Sequence, residues 1–160
     1  GSEFTLYFPL DSDACAEQAP VDTDEEAPKP VVQGRGERIL VVDDDARQRD
    51  IARQILDSFN YRVVTAAGGD AALEERRRRP ADLLILDMVM DPGIDGPTTY
   101  RRALAINPVQ KALFLSGYAE DAKVREALAL GPSRFLKKPY QMEHLAQAVR
   151  QLLDEPSRAE

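Results

Sequence analysis

The sequence predicts an α/β fold, a doubly wound sheet of five parallel strands with helices on both faces. Three observations predict it. First, the runs Ile39-Leu40-Val41-Val42, Leu83-Leu84-Ile85-Leu86 and Ala112-Leu113-Phe114-Leu115 have no polar face, as strands covered on both sides require. Second, segments with apolar residues at helical spacing separate these runs, and strands alternating with helices imply right-handed crossovers. Third, the strands end on groups able to do chemistry: Asp43 and Asp44, Asp87, Ser116, and Lys138. In a parallel sheet those ends share one edge, where ligands bind.

Residues 1–10 include Phe4-Thr5-Leu6-Tyr7-Phe8, which alternates like a half-buried strand until Pro9 stops it. A cloning scar on a disordered tail is one reading; the last strand of a domain cut away upstream is the favoured one. Residues 11–36, with Pro20, Pro28 and Pro30 among acids and alanines, read as a flexible linker. The globular domain is expected over 37–154, with a tail at 155–160.

Within that domain Ile51, Ile55, Leu56 and Phe59 fall at helical spacing, and Tyr61 to Thr65 reads as a strand. Gly68-Gly69 breaks the chain before a helix through Ala71, Ala72 and Leu73. That helix closes in Arg76-Arg77-Arg78-Arg79, read as solvated cations at a helix C-terminus in preference to a nucleic-acid patch. After the central strand ending at Asp87, a loop leads to a helix from Pro97 to about Ile106, with Tyr100 and Leu104 on one face. Val124, Ala127 and Leu128 mark a helix that Gly131-Pro132 closes, and Phe135-Leu136 is a short last strand. Met142, Leu145, Val149 and Leu152 give a final amphipathic helix.

At 160 residues and 43% hydrophobic content, one domain with extensions is expected. No apolar run approaches the roughly 18 to 20 residues that span a bilayer. The start lacks a basic-then-apolar leader, so a cytoplasmic segment without membrane contact is expected. The lone Cys15 and lone His144 exclude an internal disulfide and a Cys/His zinc cluster. The net charge of −7 lies in the first 30 residues, where eight acids face Lys29; the rest holds 20 acids and 20 bases. A neutral domain gives no reason to expect nucleic acid.

In the flavodoxin-like strand order 2-1-3-4-5, strands one and three are neighbours, and Asp43, Asp44 and Asp87 meet. Carboxylates so close raise one another's pKa, and a hard divalent cation such as Mg²⁺ neutralises them. With Lys138 as a mobile point charge for phosphate and Ser116 as a hydroxyl donor, the set describes phosphoryl transfer to aspartate.

Four motifs together carry a resemblance: Ile39-Leu40-Val41-Val42-Asp43-Asp44-Asp45, Leu86-Asp87-Met88-Val89-Met90, Leu115-Ser116-Gly117 and Leu136-Lys137-Lys138-Pro139. The domain resembles a CheY-like receiver of two-component signalling. The resemblance implies that Asp87 is the phosphoacceptor and that the cation is Mg²⁺ (or Mn²⁺). Asp44 would ligate it directly, Asp43 largely through water, and Asp87 and the Val89 carbonyl would complete the protein's share. It further implies that Ser116 is the switch hydroxyl, Phe135 the aromatic that swings inward behind it, and Lys138 the phosphate-binding lysine before a cis Pro139. Switching would report to the face built by the fourth helix, fifth strand and fifth helix. Val89 and Tyr118 offer no acid or amide to position water, so slow hydrolysis is expected. One departure is the inserted Asp91 in the loop Met90-Asp91-Pro92-Gly93-Ile94-Asp95-Gly96, expected to be a solvated loop acid.

Residues 1–10 resemble the closing strand of a histidine-kinase ATP-binding domain, which implies the C-terminal receiver of a hybrid sensor kinase. The implied partners are a kinase phosphohistidine domain, in the same or a partner chain, and a histidine phosphotransfer protein. The domain would promote its own phosphorylation and dephosphorylation, within a parent kinase that is membrane-anchored. Two other readings stand beside this one. Asp43-Asp44-Asp45 also resembles the opening of aspartate-nucleophile phosphatases of the haloacid dehalogenase class, though Ala46-Arg47 departs from their pattern. The other is a receiver-like interaction domain that is not phosphorylated.

Overall fold

Each apolar run becomes a strand of one sheet. The structure, a computed structural model, describes residues 32–118 and 121–156. The chain divides into two units at Val31/Val32, and every described residue belongs to the second. The strand expected at residues 4–8, Cys15, most of the linker and residues 157–160 lie outside the described residues.

The elements alternate as β1 (Arg38–Val42), α1 (Ala46–Ser58), β2 (Arg62–Ala66), α2 (Gly69–Arg78), β3 (Leu83–Asp87), α3 (Gly96–Ile106), β4 (Lys111–Ser116), α4 (Ala122–Leu128), β5 (Ser133–Lys137) and α5 (Met142–Asp154). All strand pairs are parallel, in the order β2-β1-β3-β4-β5. That is the flavodoxin-like order. Side chains alternate across the sheet and fill two cores. Leu40, Val42, Leu84, Leu86, Ala112 and Phe114 face α2, α3 and α4. Ile39, Val41, Leu83, Ile85, Leu113 and Leu115 face α1 and α5.

Local chemistry places the helix starts. Asp45, Asp95 and Asp121 each cap a helix by accepting from the backbone N–H two or three residues on, satisfying a donor the helix leaves free. Pro97 stands in the first turn of α3, where its missing N–H costs nothing. Asp95 moves the start of that helix one residue ahead of the expected Pro97.

Three expectations need correction. Ile51 of α1 is 48% exposed and Met142 of α5 46%, whereas Ala52 and Leu56 of α1 are buried: helical spacing finds the stripe, but packing decides its margins. The short strand expected at Phe135-Leu136 extends over five residues because β4 offers it a full ladder. Arg76 is not a solvated cation. It is buried, and its Nε donates to Gln110 Oε1 at 2.8 Å, whereas Arg77, Arg78 and Arg79 are exposed as expected.

Candidate functional site

The carboxyl ends of β1, β3, β4 and β5 bring the candidate residues to one edge. Asp43 and Asp44 follow β1; Asp87 ends β3, its direct neighbour. Asp43, Asp44 and Asp87 each offer a carboxylate oxygen, all within 4.8 Å of one another. Lys138 reaches across from the end of β5. Its Nζ stands 2.9 Å from Asp43 Oδ2 and 3.5 Å from Asp87 Oδ1. The Lys138 N–H donates to the Ser116 carbonyl at 2.7 Å, and the Lys138–Pro139 bond is cis.

Burial gives these charges leverage. Asp43 is 3% exposed, whereas Asp44 faces solvent. Desolvation pushes the Asp87 carboxyl from 3.8 to about 6; Lys138 opposes the rise, and Asp43 and Asp44 add to it. Burial works against the charge on Lys138, yet its hydrogen bond to Asp43 and the charges of Asp87 and Asp43 outweigh burial, holding its pKa above the ordinary value. A lysine so placed remains cationic at neutral pH.

Three carboxylates with one shared ammonium leave the site anionic. Hard oxygen donors at this spacing fit a divalent cation such as Mg²⁺, which takes one or two carboxylates and keeps waters. Three contacts hold the acids in place. The Asp45 N–H donates to Asp43 Oδ1 at 2.9 Å, and the Arg49 side chain donates to the Asp43 carbonyl at 2.6 Å. Gly96 packs so closely under β3 that a Cβ there would overlap the Asp87 carbonyl. The sequence reading missed Arg49 and Gly96. A basic residue in the first turn after the triple Asp is a faint signal for the first; nothing local marks the second.

Ser116 is buried at the end of β4, and its Oγ accepts from the Tyr118 N–H at 3.1 Å. Val89 and Tyr118 flank the site, 64% and 73% exposed. Phe135 is half-buried, paired in register with Phe114 on β4. The inserted Asp91 is exposed, but its N–H donates to Asp44 Oδ2 at 3.3 Å, so the loop touches the site through its backbone. A groove of about 540 Å³ continues from Met88, Ser116 and Tyr118 between α3 and α4. His144 is exposed in the first turn of α5.

Residues 39–150 match the response regulator receiver domain family. The chain is 35% identical over 158 residues to the sensor kinase CckA of Brucella abortus, covering 96% of this chain and 17% of that protein. It is 32% identical to the response regulator receiver protein CpdR of the same organism, covering 72% of this chain and 96% of CpdR. A CheY-like receiver domain structure from Methanospirillum hungatei superposes with a TM-score of 0.70 at 28% identity, covering 74% of this chain and 94% of that one.

The chain therefore belongs to the response regulator receiver domain family, the phosphoacceptor class of two-component signalling. It spans only 17% of CckA and 26% of the transcriptional regulatory protein ZraR of Escherichia coli. Family membership sets the haloacid dehalogenase alternative aside. Receiver domains bind Mg²⁺ at an acidic pocket of this kind and exchange phosphoryl groups with kinases or phosphotransfer partners. No helix among the described residues is long and apolar enough to cross a membrane.

Proposed function

We propose that Asp87 takes the phosphoryl group from a phosphohistidine and that Ser116 and Phe135 convert the event into a change of surface. The observation that carries this is the meeting of Asp43, Asp44 and Asp87 within 4.8 Å, with the Lys138 ammonium against two of them. An Asp87 carboxylate oxygen attacks phosphorus, the P–N bond of the phosphoimidazole breaks, and the imidazole leaves with the electron pair and is protonated by solvent. Lys138 trades its contact with Asp43 for the incoming phosphoryl oxygens, as a mobile point charge can. Asp44, Asp87 and the Val89 carbonyl would hold Mg²⁺ (or Mn²⁺), with Asp43 acting largely through water; the cation would supply charge neutralisation on the equatorial oxygens.

Ser116 would turn its hydroxyl to the phosphoryl oxygens, and Phe135 would follow inward, biasing a two-state element. The likeness to CckA along nearly the whole chain supports a receiver joined to a sensor kinase, with 37–154 as the receiver and the acidic stretch 11–36 as its tether. A tether of that kind raises the effective concentration of Asp87 near a phosphohistidine. A histidine phosphotransfer protein is the second partner the reading allows.

Acetyl phosphate with Mg²⁺, followed by intact mass, tests the assignment. One labile, hydroxylamine-sensitive phosphoryl group per chain is expected, and Asp87→Asn should take up none. Equal labelling of the Asp87→Asn variant would overturn the assignment, and no labelling of the natural chain would leave the unphosphorylated receiver-like domain.

A further inference from the structure

Away from the carboxylates, at the opposite end of the sheet, lies a buried polar cluster that the phosphoryl site does not use. Tyr100 of α3 is fully buried, and its hydroxyl donates to the Gln110 carbonyl at 2.8 Å or to the Pro132 carbonyl at 3.1 Å. One hydroxyl hydrogen thus faces two acceptors, one just before β4 and one between α4 and β5. Gln110, also buried, donates through Nε2 to the Ala81 and Lys111 carbonyls and accepts from Arg76. Gly131 brings the α4–β5 loop close: a Cβ there would stand 2.7 Å from the Tyr100 hydroxyl and 3.1 Å from Leu104. Burial pushes the Tyr100 pKa well above its ordinary value, so the hydroxyl keeps its proton.

The same tyrosine supports the aromatic row that leads to the switch residue. Its ring meets Phe114 edge to face, with centroids 5.5 Å apart and planes at 80°. Phe114 stands beside Phe135 in the β4–β5 register, and Phe135, Val124, Ala127, Leu128 and Leu130 pack on the same core. A close-packed core admits an inward ring only if neighbours give way. The neighbours on that side are α4 and the loop that carries Pro132, whose carbonyl also accepts from the Ala112 N–H at 3.1 Å.

We infer that Tyr100 is a positioning residue that restrains the switch: its hydroxyl holds the α4–β5 loop in the resting arrangement and so opposes the inward swing of Phe135. This rests on the Ser116–Phe135 reading above. A contact present in the resting state and loosened in the switched one biases the equilibrium by the difference alone. Loss of the hydroxyl should therefore favour the switched state without touching the carboxylate site.

The test is a beryllofluoride titration with Mg²⁺ of the full 160-residue chain, natural and Tyr100→Phe, read by amide and aromatic NMR at Phe135, Ser116 and α4. The substitution keeps the ring and deletes the donor. Expected are resting-state resonances displaced toward the beryllofluoride positions and a midpoint lowered about fivefold, as loss of one net hydrogen bond from the resting state implies. Mg²⁺ affinity alone should stay unchanged. Gly131→Ala, which pushes the loop off the hydroxyl, should shift the same resonances in the same direction. If beryllofluoride moves Phe135 in the natural chain while both variants titrate identically to it, the restraint is overturned and the switch stands. If Phe135 never responds in the natural chain, the switch reading falls and the restraint falls with it.

Discussion

Asp87 is an acid held uncomfortably, and that discomfort is measurable. Its folded pKa of about 6 lies above the ordinary 3.8 because burial and two neighbouring acids disfavour the charge. Below about pH 4 the carboxyl is protonated in both folded and unfolded chains and costs nothing. Between about 4 and 6 the folded state binds the proton more tightly, so stability falls as pH rises through that window and stays lower above it. Metal-free protein should thus lose on the order of 2 kcal/mol across it, and Mg²⁺ should restore much of the loss. Asp87→Asn should flatten the profile and raise the melting temperature in chelator at pH 7; equal pH profiles for the two proteins would contradict this.

Lys138 spans Asp43 and Asp87, so under the proposed transfer Lys138→Met would remove both a phosphate ligand and a competitor for the metal. Phosphorylation by acetyl phosphate should slow by about 100-fold, as loss of one positioned donor typically does, while Mg²⁺ binding, followed by tyrosine fluorescence, should tighten. Val89 and Tyr118 carry no acid or amide beside the site, and both are largely exposed. The phosphoryl form should persist for far longer than seconds, and Val89→Glu should shorten its lifetime, as loss of the mass-shifted species with time would show.

Among the elements, α3 carries the most consequence for the site. Asp95 caps it, accepting from the Thr98 N–H at 2.9 Å, and Gly96 lets it lie against the end of β3. Asp95→Ala should cost about 1 kcal/mol in urea denaturation, the usual worth of such a cap, with little effect on Mg²⁺ affinity. Gly96→Ala should behave differently. Its Cβ meets the Asp87 carbonyl, so relief requires moving β3 or α3, and Mg²⁺ affinity should drop along with stability. Comparable Mg²⁺ affinity in the two variants would show that the close approach does not set the carboxylate's position. At the far end of the sheet, Lys111 performs a related service for α5: its buried Nζ donates to the Leu153 carbonyl at 3.0 Å and to that of Glu155. A cation at a helix C-terminus satisfies carbonyls the helix leaves free.

Over the whole molecule, a sheet covered on both faces divides the hydrophobic stabilisation between two cores, and only one faces the proposed switch. Phe114, Tyr100 and Val124 lie on the α2–α3–α4 side, whereas Leu145, Val149 and Leu152 lie on the α1–α5 side. Leu145→Ala, at a fully buried position, should cost about 2 to 5 kcal/mol and leave the beryllofluoride response of Phe135 intact once the protein is folded. A change in that response comparable to the effect of Tyr100→Phe would mean that the two cores are energetically coupled through the sheet.

The strands and the reactive edge were legible because both follow from chain order. Apolar runs with no polar side require a doubly covered sheet, and parallel strands deliver Asp43, Asp87, Ser116 and Lys138 to the same edge whatever the details of packing. Turn and cap chemistry is equally local, which is why Gly68-Gly69 marks a boundary in the sequence. Tertiary structure alone decided which residues meet without a periodic cause: Arg76 with Gln110, Tyr100 with the Pro132 carbonyl, Gly96 with Asp87, and the Asp91 amide with Asp44. These contacts join segments whose separation no local rule fixes, and their energies depend on burial that exists only after the sheet and helices have closed on one another.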